Sequence, residues 1–353
     1  SLILMIKYYT RACNFYFGKN SVEKVKKKLT IPLHGNNLIS FDTIEILSRK
    51  SKKKVNIKKI NKLNSKVKKK VLFDINNIKK KKKFVKLNFS NIPVLMGILN
   101  LTPDSFSDGG KYNKKNLAKE RVNYLLSSGA NIIDIGGEST RPGANDIHPK
   151  EEWDRIKFIL NILKNKKSFI SLDTRKSFVM DKASKIKIDL INDVSGLSYD
   201  PKTINYLKKT KKPFVIHHMK GTPKNMQIKP TYKNVLLDIY DFFETKLKYL
   251  RKIGIKHNNI ILDPGIGFGK NLKHNITLIK NISIFHSLGL PVMLGLSRKR
   301  FIKDISKEND TKDRIGGTIS SCIQAYLQGV QILRVHDVKE INQAFKVFKE
   351  LQN

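Results

Sequence analysis

The chain has 353 residues, of which 40% are hydrophobic, and 70 Lys and Arg against 29 Asp and Glu give a formal charge of +41. That length can bury one large domain and a smaller one. Uninterrupted apolar runs fall short of the ~18 residues of a membrane-spanning helix, and the apolar start Ser1–Ile6 is too short for a secretory core and lacks a basic segment ahead of it. Only Cys13 and Cys322 are present, which excludes a disulfide framework and points to a reducing, cytoplasmic setting. The opening serine suggests that the true start is missing or altered, with Met5 a candidate.

The charge invites a nucleic-acid reading, because phosphate contacts release counterions. The surplus is nearly all lysine, however, and travels with heavy use of Asn and Ile, residues that share A/T-rich codons. Composition alone accounts for it, so most of these lysines are read as solvated surface. Such a surface still attracts anionic substrates.

In chain order, residues 1–92 form a first region with 25 Lys and Arg, 4 Asp and Glu, little glycine and no chemical motif. The turn-like His34-Gly35-Asn36-Asn37, followed by Ile44, Ile46 and Leu47, suggests a small accessory segment of a few strands and a helix. The lysine run 79–83 reads as a basic linker.

From residue 93 to 353 the texture becomes a regular alternation. Short apolar runs are expected as strands at Val94–Asn100, Ile132–Gly137, Phe169–Thr174, Leu190–Ser195, Phe214–Met219, Ile260–Gly265, Pro291–Ser297 and Ile332–Asp337. Helical stretches such as Lys115–Ser128, Glu151–Lys164, Val235–Ile253 and Arg314–Leu327 lie between them. Near-continuous apolar strands suit a parallel sheet covered by helices. Eight such units favour a closed TIM (β/α)8 barrel over a doubly wound open sheet, so the expected fold is α/β, a barrel carrying a small basic amino-terminal extension.

Barrel active sites lie at the C-terminal strand ends, and polar residues gather there. Asn100, Gly136 to Arg141, Asp173, Asn192-Asp193, His217-His218, Asp263, Ser297-Arg298-Lys299, Arg334 and His336 each follow an apolar run. Any one of them could be a helix cap; together they suggest one pocket. The carboxylates Asp173, Asp193 and Asp263, with the carboxamides Asn100 and Asn192, suit a flat heterocycle rich in N–H groups. Arg141, Arg298, Lys299, Arg334 and His336 suit a phosphate-type anion. His217 and His218 are adjacent on a strand, so at most one faces the pocket, and neither has neighbours with zinc-ligand spacing. Gly265-Ile266-Gly267-Phe268-Gly269 lacks the spacing and context of a dinucleotide fingerprint. Cys322 reads as a core residue.

The motifs carry a resemblance. Met96 to Gly110, Gly129 to Gly143, Ser171-Leu172-Asp173-Thr174, Ile191-Asn192-Asp193-Val194, His218 to Pro223, Leu262 to Lys270, Ser297-Arg298-Lys299 and Arg334 to Val338 resemble, in order, the signatures of the dihydropteroate synthases. This resemblance implies an enzyme that joins 6-hydroxymethyl-7,8-dihydropterin pyrophosphate to p-aminobenzoate in folate biosynthesis. It implies that Asp173, Asn192, Asp263 and Lys299 grip the pterin. Asn100, Thr140, Arg334 and His336 would hold the pyrophosphate, with Mg2+ near Asn100. Phe106, Thr140, Pro142, Phe268, Ser297 and Lys299 would shape the p-aminobenzoate pocket, which is also the family's sulfonamide pocket. Asp108 and Arg141 would close over the site from the first two loops; with Asp173 and Lys299 they make up the implied catalytic set. The reaction would pass through a pterin methylene cation, with no covalent enzyme nucleophile.

The resemblance also implies a homodimer. Two further readings stay open at this point. One is a methyltetrahydrofolate-binding methyltransferase of the related pterin-binding barrels. The other is a pterin-binding protein whose basic amino-terminal segment binds nucleic acid, although that segment has few aromatics and no known binding module, so nucleic acid is not expected as a partner.

Overall fold

The computed structural model describes residues 6–81, 83–103, 111–141 and 143–352. The first region folds into strands and helices. β1 (Tyr9–Phe17) leads into α1 (Gly18–Lys26), then β2 (Ile31–Leu33), β3 (Asn36–Leu47) and β4 (Lys52–Asn56). β3 is the central strand, antiparallel to β1, β2 and β4. His34 and Gly35 make the two-residue turn between β2 and β3, both with positive φ (48° and 72°), as a tight hairpin of this hand requires.

The basic stretch that follows is helical as far as Lys79, and the described residues of the lysine run beyond it have no regular structure. A short 3-10 segment (Ile57–Lys62) precedes α2 (Ser65–Lys79), capped by the Asn64 side chain, which accepts from the Val67 N–H. Val67, Val71, Ile75 and Ile78 form its buried face, an amphipathic spacing half hidden in the sequence by intervening lysines.

The second region is the expected barrel. Eight parallel strands, β5 (Val94–Asn100), β6 (Ile132–Gly136), β7 (Phe169–Asp173), β8 (Leu190–Asp193), β9 (Phe214–His217), β10 (Ile260–Asp263), β11 (Met293–Gly295) and β12 (Ile332–Val335), run in the order β10-β9-β8-β7-β6-β5-β12-β11. The ring closes between β10 and β11 through a bridge of Leu262 with Val292, where the Leu262 N–H donates to the Pro291 carbonyl at 2.9 Å. Helices α3 (Lys111–Ser127), α4 (Pro149–Leu163), α5 (Ser177–Ser184), α6 (Thr203–Thr210), α7 (Val235–Lys252), α8 (Leu272–Lys280), α9 (Arg300–Ser306), α10 (Ile315–Tyr326) and α11 (Val338–Gln352) link and cover the strands. Local chemistry sets several starts: Pro149 with Glu151 and Glu152 opens α4, and Asn271 with His274 forms a capping box on α8, satisfying amides that have no partner within the helix.

Inside the barrel the side chains form two layers. Val94, Met96, Ile132, Phe169, Leu190, Val215, Ile261, Met293 and Ile332 make a dry lower layer. Phe84, with Leu87 and Phe89 packed beside it, closes that layer from below. The Val85 N–H donates to Asn259 Oδ1 and Lys86 Nζ to Asp189 Oδ1, both just ahead of barrel strands. The segment after the lysine run is therefore a plug in the barrel floor.

The accessory sheet shares one apolar cluster with the barrel's outer layer. Tyr9 meets Tyr240 edge-on at 5.2 Å, Phe17 stacks on Tyr326 at 4.9 Å, and the Ser283 hydroxyl donates to the Ala12 carbonyl. Lys7 and Arg49 pair with Asp238, Asp241 and Glu244 on α7. A shared core predicts shared unfolding. The accessory region and barrel are expected to melt in one calorimetric transition, and Phe84→Ala is expected to cost about 3–5 kcal/mol. Two separated transitions would show independent units.

Candidate active site

Strand periodicity builds the site. Two residues above the lower layer, the inward positions on six of the eight strands turn polar: Asp134 on β6, Ser171 and then Asp173 on β7, Asn192 on β8, His217 on β9, Asp263 on β10 and Arg334 on β12. Asn192, Val194, His217, Asp263, Ile266, Phe268, Gly295, Lys299 and Arg334 line a pocket. It lies at the C-terminal strand ends, where barrel chemistry is housed.

Arg334 is the centre of the electrostatics. Its Nε donates to Asp134 Oδ2 at 2.7 Å and its Nη2 to Asp173 Oδ2 at 3.0 Å. Asn192 Nδ2 also donates to Asp134 Oδ2, at 3.1 Å. The buried acceptors with no hydrogen-bond partner among the described residues include Asp134 Oδ1, Asp173 Oδ1 and Asn192 Oδ1. Unpaired buried acceptors cost free energy, and a ligand bearing N–H donors would relieve that cost. Burial, followed by the neighbouring Asp134 charge, pushes the Asp173 carboxyl up to about 8. Burial likewise raises Asp263 to about 6, opposed by the hydrogen bond that its Oδ1 accepts from the Gly265 N–H at 2.8 Å. Next to it, burial keeps His217 neutral by holding it well below the usual histidine range, so its 3.9 Å approach to Asp263 is no ion pair.

Across the mouth Lys299 Nζ sits 4.4 Å from the centre of the Phe268 ring. Burial and then the Arg334 charge lower it to about 8. The Ser297 hydroxyl lies 3.0 Å from His336 Nδ1 and accepts from the His336 N–H at 3.2 Å. Burial, then Arg298 and Arg334, depress His336 well below its usual range. The loop bearing Phe268 turns on glycines with positive φ, Gly265, Gly267 and Gly269. Gly265 has φ +70°, and a Cβ there would lie 1.9 Å from the His218 carbonyl. Lys270 anchors the same loop, its Nζ bonded to His218 Nδ1 and to the Phe268 carbonyl.

The structure brings together most of the expected residues. Asp173, Asn192, Asp263, Lys299, Arg334 and Phe268 meet in the pocket or on its wall, with Ser297 and His336 alongside. Asn100 is half-buried at the end of β5, next to Gly136 in the sheet. Thr140 is half-buried and Arg141 exposed on the loop after β6. Phe106, Asp108 and Pro142 lie outside the described residues.

Two expectations need correction. Asp193 faces away from the barrel axis, as strand alternation demands beside the inward Asn192; its Oδ1 accepts from the Ser195 N–H and hydroxyl. Arg298 holds both Asp337 oxygens through its Nε and Nη2, which makes it a brace under the mouth rather than an anion ligand. Of the two adjacent histidines, His217 faces in and His218 out, towards Lys270.

Sequence reasoning missed Asp134, although an acid between Ile133 and Ile135 at strand spacing from Gly136 is itself a signal. Glu138 and Lys270 stood within the motifs read from the sequence but were given no role of their own. Glu138 is a buried anchor, paired with Arg175 and Lys176, that fixes the start of the loop carrying Thr140.

No group of three or more His, Cys, Asp or Glu able to cage a metal occurs among the described residues. The single carboxamide of Asn100 suits Mg2+ nonetheless, since that ion keeps waters and takes phosphate oxygens from its substrate.

Residues 96–336 match the family model described as pterin binding enzyme. The dihydropteroate synthase of Escherichia coli K12 is 39% identical over 256 residues, 72% of this chain and 90% of that protein. The Synechocystis dihydropteroate synthase is 40% identical over 72% of this chain and 88% of its own length. Among solved structures, the Yersinia pestis dihydropteroate synthase in a sulfonamide drug complex superposes with TM-score 0.71 at 39% identity, covering 77% of this chain and 98% of that one. The Xanthomonas albilineans dihydropteroate synthase in complex with 7,8-dihydropteroate superposes with TM-score 0.68 at 31% identity, over 75% and 95%.

Asp173 yields a stability test. Its folded value lies above the unfolded 3.8, so as pH rises from about 4 to about 8 the unfolded chain releases this proton first and the folded state loses stability. Asp173→Asn removes that loss. The variant is expected to melt above wild type at pH 8–9, with the difference shrinking towards pH 4. A lower melting temperature at pH 8–9 would mean that pairing with Arg334 outweighs the cost of burial.

Proposed function

The chain belongs to the family of pterin binding enzymes, and we infer that it works as a dihydropteroate synthase, condensing 6-hydroxymethyl-7,8-dihydropterin pyrophosphate with p-aminobenzoate to give 7,8-dihydropteroate and pyrophosphate in folate biosynthesis. One observation carries this reading. The unpartnered acceptor of Asn192 lines a pocket with Asp263 and the cations Lys299 and Arg334, and Arg334 holds Asp134 and Asp173 beside it, so one mouth suits both an N–H-rich ring and a phosphate anion.

In this reading Asp173, Asn192 and Asp263 receive the ring N–H groups, Asp263 at the guanidine-like edge. Arg334, His336 and Thr140 hold the pyrophosphate, and Lys299 reaches over the ring. The bond between the pterin methylene carbon and the bridging oxygen breaks, and its electron pair leaves with pyrophosphate. Preorganised donors aimed at that oxygen lower the barrier because they need no reorganisation as charge builds. The methylene cation is delocalised over the ring. Burial favours the protonated form of Asp173, and ring N–H donors together with the developing cation favour release of its proton to solvent, leaving a carboxylate to stabilise the cation. The arylamine nitrogen then bonds to the methylene carbon and gives up a proton to solvent.

Mg2+ held by Asn100 and the phosphate oxygens would neutralise charge on the leaving group. The p-aminobenzoate lies against Phe268, Ser297 and Lys299 with Thr140, and this pocket also admits sulfonamides. Phe106, Pro142, Asp108 and Arg141 complete the proposed site from the first two loops. A homodimer in the cytoplasm completes the proposal; no helix among the described residues is long and apolar enough to cross a membrane.

The test is pyrophosphate release from the pterin substrate, with and without p-aminobenzoate and Mg2+. Release is expected to need both, and chelation by EDTA to abolish it reversibly. Asp263→Ala and Lys299→Ala are each expected to lower kcat/KM by roughly 100-fold or more, the scale of removing a preorganised contact. A folded wild-type protein without turnover would sink the reading. Transfer of a methyl group from methyltetrahydrofolate would favour the methyltransferase alternative.

A further inference from the structure

Asp134 is the inward residue of β6 immediately above the dry layer, and it is fully buried. One of its oxygens, Oδ2, accepts from both Arg334 Nε and Asn192 Nδ2. β6 neighbours β5 and β7 in the sheet, so Arg334 on β12 and Asn192 on β8 each lie two strands away, on opposite sides. The other oxygen, Oδ1, has no partner among the described residues. The carboxylate is therefore oriented by those two donors, and they by it.

We propose that Asp134 is a positioning residue that ties the pyrophosphate arm, Arg334, and the pterin amide, Asn192, to a single oxygen. The inference rests on the function proposed above, which gives Arg334 and Asn192 to the two ends of one substrate. A shared anchor fixes their separation, so the ring and the phosphates are gripped in one geometry and the scissile bond between them is held in register. Preorganisation of this kind counts because an ångström of misplacement at a reacting centre is costly. Asp173 does not make the same tie: its Oδ2 accepts from Arg334 Nη2, while the Asn192 side chain donates to Asp134.

Two substitutions separate geometry from charge. Asp134→Ala removes both acceptances. Asp134→Asn can keep them, since one carbonyl oxygen accepts two hydrogen bonds, while deleting the charge. The readouts are KM and kcat for each substrate, Kd of the pterin pyrophosphate by calorimetry, and melting temperature.

Asp134→Ala is expected to weaken the pterin pyrophosphate by roughly 30-fold or more, the scale of truncating one partner of a buried charge pair. The KM for p-aminobenzoate is expected to stay within about twofold of wild type. Asp134→Asn should fall between the two and shift the acid limb of the kcat/KM profile to lower pH. The reason is that Asp173, which also faces Arg334, Lys299, Glu138 and Glu152, is freed of its largest charge neighbour.

A folded Asp134→Ala protein with unchanged pterin affinity overturns the proposal, as does equal weakening of both substrates. If the alanine variant does not fold, the asparagine variant decides: unchanged KM and an unshifted pH profile overturn it. Absence of turnover in the wild-type control would instead count against the function itself.

Discussion

The fork of Arg334 between Asp134 and Asp173 is the interaction on which the rest of the site depends. Two carboxylates and a guanidinium in a barrel interior are costly, because desolvation of each charge must be offset by attraction and hydrogen bonding at good geometry. Here the offset is incomplete. Asp173 keeps its proton far above the ordinary range, and each of the two carboxylates leaves one oxygen unpaired among the described residues. A well-packed apolar layer at this level would be more stable. The arrangement makes sense as a site whose missing partners arrive with the substrate.

Such a cluster keeps its strength only where water is excluded from below, and the lower layer does that. Nine apolar side chains from all eight strands and the loop-borne Phe84 close the barrel beneath Asp134. The floor is supplied by the region ahead of the barrel, so the accessory segment bears on the chemistry indirectly: it seals the low-dielectric base on which the charges act. At the opposite end the Gly265 turn sets the height of Phe268, and Phe268 in turn supports Lys299 over the pocket.

The barrel was legible because parallel strands are almost continuously apolar and end in polar residues. β5 has the expected bounds, Val94–Asn100. The other strands end one or two residues earlier than expected, and β11 also starts later, expected from Pro291 and observed as Met293–Gly295. Pro291 has no N–H to give to a ladder, and at this closing edge Val292 makes only an isolated bridge. Site residues were legible where a motif carried them. Asp193 was not, since strand alternation gives the inward place to Asn192. Asp134 was hidden by its surroundings, an acid inside an apolar run far in sequence from Asn192 and Arg334. The amino-terminal region was read least well. Lysines at 66, 68, 69 and 70 mask the stripe Val67, Val71, Ile75 and Ile78, and the plug has no periodicity to detect.

The large positive charge finds a modest structural place. On the accessory sheet Lys52, Lys53 and Lys54 are exposed along β4, a strand that pairs only with β3. Lysines on an edge discourage strand-to-strand association. The acids of this seam are the ones used: Asp238, Asp241 and Glu244 on α7 bind Lys7 and Arg49 of the accessory region. With basic residues so abundant, acidic residues are the scarce partner, and where they stand decides which surfaces join. That scarcity holds inside the barrel too. Asp134 and Asp173 place Arg334 in the pocket, and Asp337 draws Arg298 away from it, so a few carboxylates select which cations face the substrate.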